Sequence, residues 1–196
     1  MHRGLSHILR CPITQHSLRK LSIHEIELVN HRISNGQLRH FDGTSVRKNL
    51  ESGFVSLDGQ FAYPVDEDIV ILLESLAIVL HDNEARKRSK DCIREETVDV
   101  QAFYDRIGWQ KDRGGQFFDA VQFEDLRSVS RDYIHKCHLR VQRCIKTTGE
   151  YFLDAASGPI QYPEYLCYSS GYEYRICIDI SLLALKEARK KLGDRG

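Results

Sequence analysis

Two aspartates and the small residues after the first of them form the part of the sequence best suited to chemistry. Asp154 ends a short apolar run and is followed by a loop of small residues, Ala155 to Pro159. Asp179 ends a second apolar run and lies 21 residues beyond Gly158. Small side chains let the backbone approach a ligand closely, and an acid about 20 residues further on can accept both ribose hydroxyl protons. The spacing therefore predicts a site for a nucleoside cofactor.

The loop carries one glycine, where dinucleotide-binding proteins carry three. Those glycines admit a diphosphate, so a loop with only Gly158 disfavours a dinucleotide. S-adenosyl-L-methionine has a ribose but no phosphate, and its positive charge suits the acidic Asp154. We therefore expect S-adenosyl-L-methionine as the cofactor.

Two segments, LDAASGP and CIDISLLALKEARKKL, resemble the first two cofactor motifs of class I S-adenosylmethionine-dependent methyltransferases. Asp154 stands where that family has an acid, Ala156 and Gly158 stand where it has its first two glycines, and Ile160 replaces the third. An FYD-like segment that lies over the cofactor in the family is matched at Tyr104. The resemblance implies the following cofactor-binding residues: Tyr104, Asp154, Ala156, Gly158, Asp179, Ile180 and Ser181.

A parallel sheet is needed to position these motifs. Apolar periodicity and capping residues predict a helix, a strand, a short helix, a strand and an amphipathic helix, at 127–147, 151–153, 163–169, 174–180 and 182–192. This order is typical of a βαβ unit. We expect residues 98–196 to be the front part of an incomplete, truncated Rossmann-like methyltransferase domain. The catalytic groups and acceptor pocket would lie beyond residue 196, so the fragment alone would be inactive.

Residues 1–78 predict a small β-rich domain, because short apolar runs alternate with turn signals such as Asn35-Gly36. A hairpin is expected around Asp58-Gly59. The segments LRCPITQHSL and FAYPVDEDIVILL resemble small zinc-ribbon-like proteins that activate methyltransferases. Thr14 stands where a Cys-Pro-x-Cys knuckle would have its second cysteine. We therefore expect a metal-free ribbon-like domain with Cys11 in its core. The charged residues 79–97 predict a linker or solvated helix.

Composition limits the partners and the cell compartment that we expect for the chain. The chain has 28 basic and 28 acidic side chains, so no overall field indicates a nucleic-acid partner. Six dispersed cysteines, no secretory signal and no apolar run of membrane-spanning length predict a cytoplasmic protein with reduced thiols.

Cys137 and Cys144 fall on one stripe of the helix predicted over 127–147, where we expect them to pack in the core.

Two other functions remain open from the sequence. The chain could be a non-catalytic protein-binding module with a degenerate Rossmann-like domain. It could also be a nicotinamide- or flavin-dependent oxidoreductase, which the missing glycines disfavour. The methyl acceptor and the catalytic residues are not assigned.

Overall fold

The computed structural model describes residues 7–81, 100–125 and 127–193. The chain divides into two compact units, Met1–Arg94 and Glu95–Gly196. The linker expected over 79–97 falls almost entirely outside the described residues. The fold is mixed α/β, with an antiparallel sheet in the first unit and a parallel strand pair in the second. In the described part of the chain, no helix is long and apolar enough to span a membrane.

The first unit is built on an antiparallel sheet. Its strands are β1 Leu18–Lys20, β2 Arg39–His40, β3 Gly53–Ser56, β4 Phe61–Asp66, β5 Ile69–Val70 and β6 Ile78–Val79. Their order in the sheet is β1-β3-β4-β6-β2, and β5 pairs with β4. Strands β3 and β4 form the hairpin predicted around Asp58-Gly59, with Phe54 opposite Tyr63 and Val55 opposite Ala62.

Helix α1, Ile23–Ser34, is absent from the sequence-based prediction. A capping box starts it: the Ser22 hydroxyl accepts the Glu25 amide hydrogen, and the Glu25 carboxylate accepts the Ser22 amide hydrogen. Val29 and Ile33 are buried in the core of the unit. Asn35-Gly36 ends this helix, so the expectation of a turn between two strands at that dipeptide is wrong. The signal that could have revealed α1 is Ser22-x-x-Glu25 before an apolar periodicity.

Cys11 lies in the core of the first unit, as expected, with no exposed surface. Its Sγ is 3.0 Å from the hydroxyl oxygen of Tyr63 and accepts the Thr14 amide hydrogen at a nitrogen-to-sulfur distance of 3.3 Å. Burial is the main reason that the pKa of Tyr63 is raised. Among the described residues, no group of three or more His, Cys, Asp or Glu side chains is arranged to hold a metal ion.

The second unit contains the predicted parallel strand pair. Strands β7, Gly149–Ala155, and β8, Tyr172–Ile178, run parallel. Asp154 lies opposite Cys177, and Ala155 lies opposite Ile178. Residues 100–103 are helical and lead into a π-helical turn at Tyr104–Gly108. The other elements are α2 Phe118–Phe123, α3 Ser128–Val141, a 3₁₀ turn at Gln142–Cys144, α4 Pro163–Leu166, a 3₁₀ turn at Cys167–Ser169 and α5 Leu182–Leu192.

Helix α3 is more exposed than its apolar stripe predicts. None of its residues is fully buried. Cys137 is half-buried, and Cys144, in the turn that follows, is exposed. The expectation of core packing is therefore wrong for Cys144. The helix packs through one narrow side, where the His138 ring lies 4.4 Å from the Tyr162 ring, and its remaining surface faces solvent.

Candidate functional site

The carboxyl ends of β7 and β8 lie side by side because the strands are parallel. The loop that leaves β7 turns across the end of β8, where the Ser157 amide donates a hydrogen bond to the Ile178 carbonyl at 3.1 Å. Three alternate residues of this loop have left-handed backbones: Ala156 at φ 55°, Gly158 at φ 55° and Ile160 at φ 50°. That region favours glycine and is strained for alanine and even more for isoleucine. The strain is local to the predicted cofactor loop.

Asp179 follows β8 and binds the loop directly. Its Oδ2 accepts the Gly158 amide hydrogen at 2.8 Å, and its Oδ1 accepts the Ser181 amide hydrogen at 2.9 Å. The carboxylate therefore connects the loop after β7 to the first residues after β8. Both contacts are charge-assisted, which makes them stronger than bonds between neutral groups.

Asp154 forms an ion pair with Arg175, a residue that sequence reasoning missed. Nη2 of Arg175 donates to Oδ2 of Asp154 at 2.5 Å, and Nη1 donates to the Tyr165 carbonyl at 2.6 Å. The Arg175 side chain is 1% exposed and the Asp154 side chain 25% exposed. The negative charge of Asp154 is thus balanced by Arg175, which belongs to strand β8. The available signal was a basic residue inside the apolar strand YRICIDI.

Tyr104 and Trp109 form an aromatic wall beside the loop. Their rings stack with centroids 5.2 Å apart and an interplanar angle of 22°. A methyl group added at Gly158 would lie 3.3 Å from two carbons of the Trp109 ring, Cη2 and Cζ2. Burial and the nearby carboxylates of Asp119 and Asp179 raise the pKa of the Tyr104 hydroxyl. The wall therefore borders both Gly158 and Asp179.

Ser181 is fully buried and holds the π-helical segment against helix α5. Its Oγ accepts the Ala184 amide hydrogen at 3.2 Å, which caps α5, and donates to Oδ1 of Asp105 at 2.6 Å. Asp105, next to Tyr104, is a second residue that sequence reasoning did not assign. Ile180 is partly buried between Asp179 and Ser181. Tyr104, Gly158, Asp179 and Ser181 thus lie around one edge, with Ser181 acting through Asp105.

Comparisons with known proteins give little beyond this geometry. No protein-family model matches the sequence, and a search of curated proteins finds no match. Among solved structures, the chain is similar to XF2673 from Xylella fastidiosa, whose structure was determined in solution by NMR. The two are 28% identical over 40% of this chain and 81% of that chain, with a TM-score of 0.33.

Proposed function

We propose that the chain binds S-adenosyl-L-methionine at the carboxyl edge of β7 and β8, and that it belongs to an S-adenosylmethionine-dependent methyltransferase with a Rossmann-like domain. One observation carries the proposal. The left-handed residues Ala156, Gly158 and Ile160 occupy the three positions where the resembling family has glycines. Left-handed backbone at two residues that are not glycine is strained, and strain of this kind supports the view that the shape of the loop serves a ligand.

The carboxylate of Asp179 suits a ribose. Each of its oxygens accepts one backbone amide hydrogen, from Gly158 or from Ser181. A carboxylate has about four acceptor positions, so each oxygen retains capacity for one ribose hydroxyl. The two backbone bonds also fix the orientation of the carboxylate before the ligand arrives, which reduces the entropy lost on binding.

The aromatic wall suits the adenine and the sulfonium. The faces of Tyr104 and Trp109 attract a flat base by stacking and a cation by its charge. Trp109 Nε1 is buried with no hydrogen-bond partner within the described residues. This nitrogen is on the same side of the ring as Cζ2, which borders Gly158, so it could donate a hydrogen bond to a ligand oxygen that enters beside the loop. Because Asp154 is paired with Arg175, the wall is a better partner for the sulfonium than Asp154 is.

The chemistry needs no covalent intermediate on the protein, because the sulfonium supplies an activated methyl group. The residues of this edge would hold the ribose, orient the adenine and exclude water around the donor. A dinucleotide suits the loop less well, because Gly158 is its only glycine and a diphosphate is admitted by loops with three.

Isothermal titration of the chain with S-adenosylmethionine, S-adenosylhomocysteine and NADH tests the proposal. We expect both adenosyl compounds to bind and NADH not to bind. Tighter binding of NADH would favour an oxidoreductase instead. If no nucleoside binds, the proposal is wrong and the chain is better described as a protein-binding module.

A further inference from the structure

Helix α3 and the turn after it carry a local excess of positive charge. The chain as a whole is balanced, with 28 basic and 28 acidic side chains. Residues 127–146, however, contain six lysines and arginines and only one acidic residue, Asp132. The overall balance conceals this excess because acidic residues are concentrated elsewhere. The basic residues are Arg127, Arg131, Lys136, Arg140, Arg143 and Lys146.

This charge is not neutralised within the described part of the chain. Arg127 pairs with Asp125 at 2.7 Å, but none of the other five basic side chains forms a salt bridge with a described acidic residue. Basic side chains outside this stretch, such as Lys111 and Arg175, do have acidic partners. Uncompensated, exposed positive charge attracts a polyanion.

Four of the exposed residues of α3 lie in line along one side of the helix. Val129, Tyr133, Lys136 and Arg140 are separated by four, three and four residues, which places them along one side. Val129 is 77% exposed and Tyr133 67% exposed, and both basic residues are exposed. We call these four residues, together with Arg143 in the following turn, the α3 stripe.

The opposite face of α3 is directed inward. Ile134, Cys137 and His138 are partly buried there, and the His138 ring contacts the rings of Tyr162 and Tyr165. Because that face makes the packing contacts, Tyr133 stays exposed, although burial of an aromatic side chain normally stabilises a protein. An exposed aromatic ring in line with a row of basic side chains is the combination that binds unpaired bases and their phosphates.

We propose that the α3 stripe binds single-stranded nucleic acid. Lys136, Arg140 and Arg143 contact the phosphate backbone, and Tyr133 stacks on an unpaired base. An acidic peptide would engage the basic side chains but would offer no planar base to Tyr133. The proposal is independent of the cofactor site, because it concerns residues that contact neither Asp179 nor the loop after β7. RNA and DNA single strands present the same chemistry here, and the test distinguishes them.

Fluorescence anisotropy with labelled oligouridine and oligothymidine, measured across a salt series, tests the proposal. Lys136→Gln combined with Arg140→Gln removes two phosphate contacts. The dependence of log K on log salt should therefore become shallower by about 1.4, at roughly 0.7 per contact on a single strand. Tyr133→Ala should weaken binding about tenfold at every salt concentration and leave that slope unchanged, because stacking involves no counterions.

A matched control changes two exposed basic residues in the other unit. Lys20→Gln combined with Arg47→Gln alters the net charge equally and should leave the affinity and the salt slope unchanged. Thermal melting of each variant checks that the fold is intact. The proposal is overturned if neither oligonucleotide binds, if the control weakens binding as much as the α3 variant, or if polyglutamate or duplex DNA binds more tightly than the single strands.

Discussion

The Gly158 amide donates a hydrogen bond to Asp179 Oδ2 at 2.8 Å, so the acid that follows β8 holds the loop that follows β7. The other oxygen of the same carboxylate accepts the Ser181 amide hydrogen at 2.9 Å. One side chain therefore fixes two loops at the edge where we propose that the cofactor binds. We therefore expect a residue in this position to affect both local stability and ligand affinity.

Replacing Asp179 with alanine should reduce both properties. Two amides lose a charged acceptor, which should lower the free energy of unfolding by about 1–3 kcal/mol. Loss of the ribose contacts should weaken S-adenosylmethionine binding by at least about tenfold. Asp179→Asn should have smaller effects, since one acceptor oxygen remains. Urea denaturation and calorimetric titration measure the two effects separately.

The control for this variant is Asp42→Ala in the Met1–Arg94 unit. Asp42 also accepts a backbone amide hydrogen, from Thr44 at 2.8 Å, but lies outside the proposed site. It should change the stability of its own unit and leave ligand affinity unaltered. An Asp179→Ala protein with unchanged stability would contradict the loop-holding role, whatever its affinity for the cofactor.

Because the loop has a left-handed backbone, we expect opposite changes in the free energy of unfolding when a glycine is replaced and when a glycine is introduced. Gly158→Ala should lower the free energy of unfolding by about 1–2 kcal/mol, because alanine is strained at φ 55°. The new methyl group would also press on the Trp109 ring, which is the only tryptophan of the chain, and should shift its fluorescence emission. Ala156→Gly should raise the free energy of unfolding by about 0.5–1 kcal/mol, because it relieves the same strain.

The control variant Gly36→Ala separates the effect of backbone strain from the effect of contact with the Trp109 ring. Gly36 has φ 66°, and nothing lies within 4 Å of a methyl group added there. This variant should be destabilised by backbone strain alone and should keep the emission spectrum of the parent protein. An unchanged spectrum in Gly158→Ala would mean that the Trp109 ring does not border the loop.

The parts of the site that could be predicted from the sequence are those determined by residues that lie close together along the chain. Apolar runs and capping residues located β8 and α5, and Ser181 does cap α5. The contacts that position the site join residues far apart in sequence. Arg175 and Asp154 are separated by 21 residues, and Ser181 and Asp105 by 76. Helix α1 was missed for a different reason, because Asn35-Gly36 indicates a turn equally well after a strand or after a helix.

The bond between Asp105 and Ser181 should hold Tyr104 over the site. Asp105→Ala removes the acceptor of the Ser181 hydroxyl, so the π-helical turn Tyr104–Gly108 should exchange its amide hydrogens faster. Ser181→Ala removes the same bond and the cap of α5. A double-mutant cycle should therefore give a coupling free energy of about 1 kcal/mol or more. Additive effects of the two substitutions would show that the residues do not interact.

Acid sensitivity of the second unit should depend on Glu187. Hydrogen bonds from Lys111 at 2.7 Å and Lys190 at 2.8 Å lower the pKa of Glu187 from 4.5 to about 2. The unfolded chain therefore binds more protons than the folded chain between those pH values. The stability that Glu187 contributes is present above pH 4.5 and is lost as the pH falls toward 2.

Glu187→Gln should therefore flatten the pH dependence of unfolding in this window, and Lys111→Met should do the same because it removes the first partner. Trp109 fluorescence reports this unfolding, since the only tryptophan lies in the Glu95–Gly196 unit. Glu25→Gln is the matched control. Arg19 and Ser22 lower the pKa of Glu25 to about 2 as well, but in the other unit, so the Trp109 transition should not respond. If Glu187→Gln unfolds with the pH profile of the parent chain, the lysines do not hold this carboxylate in solution, and the tether from Lys111 to helix α5 is absent.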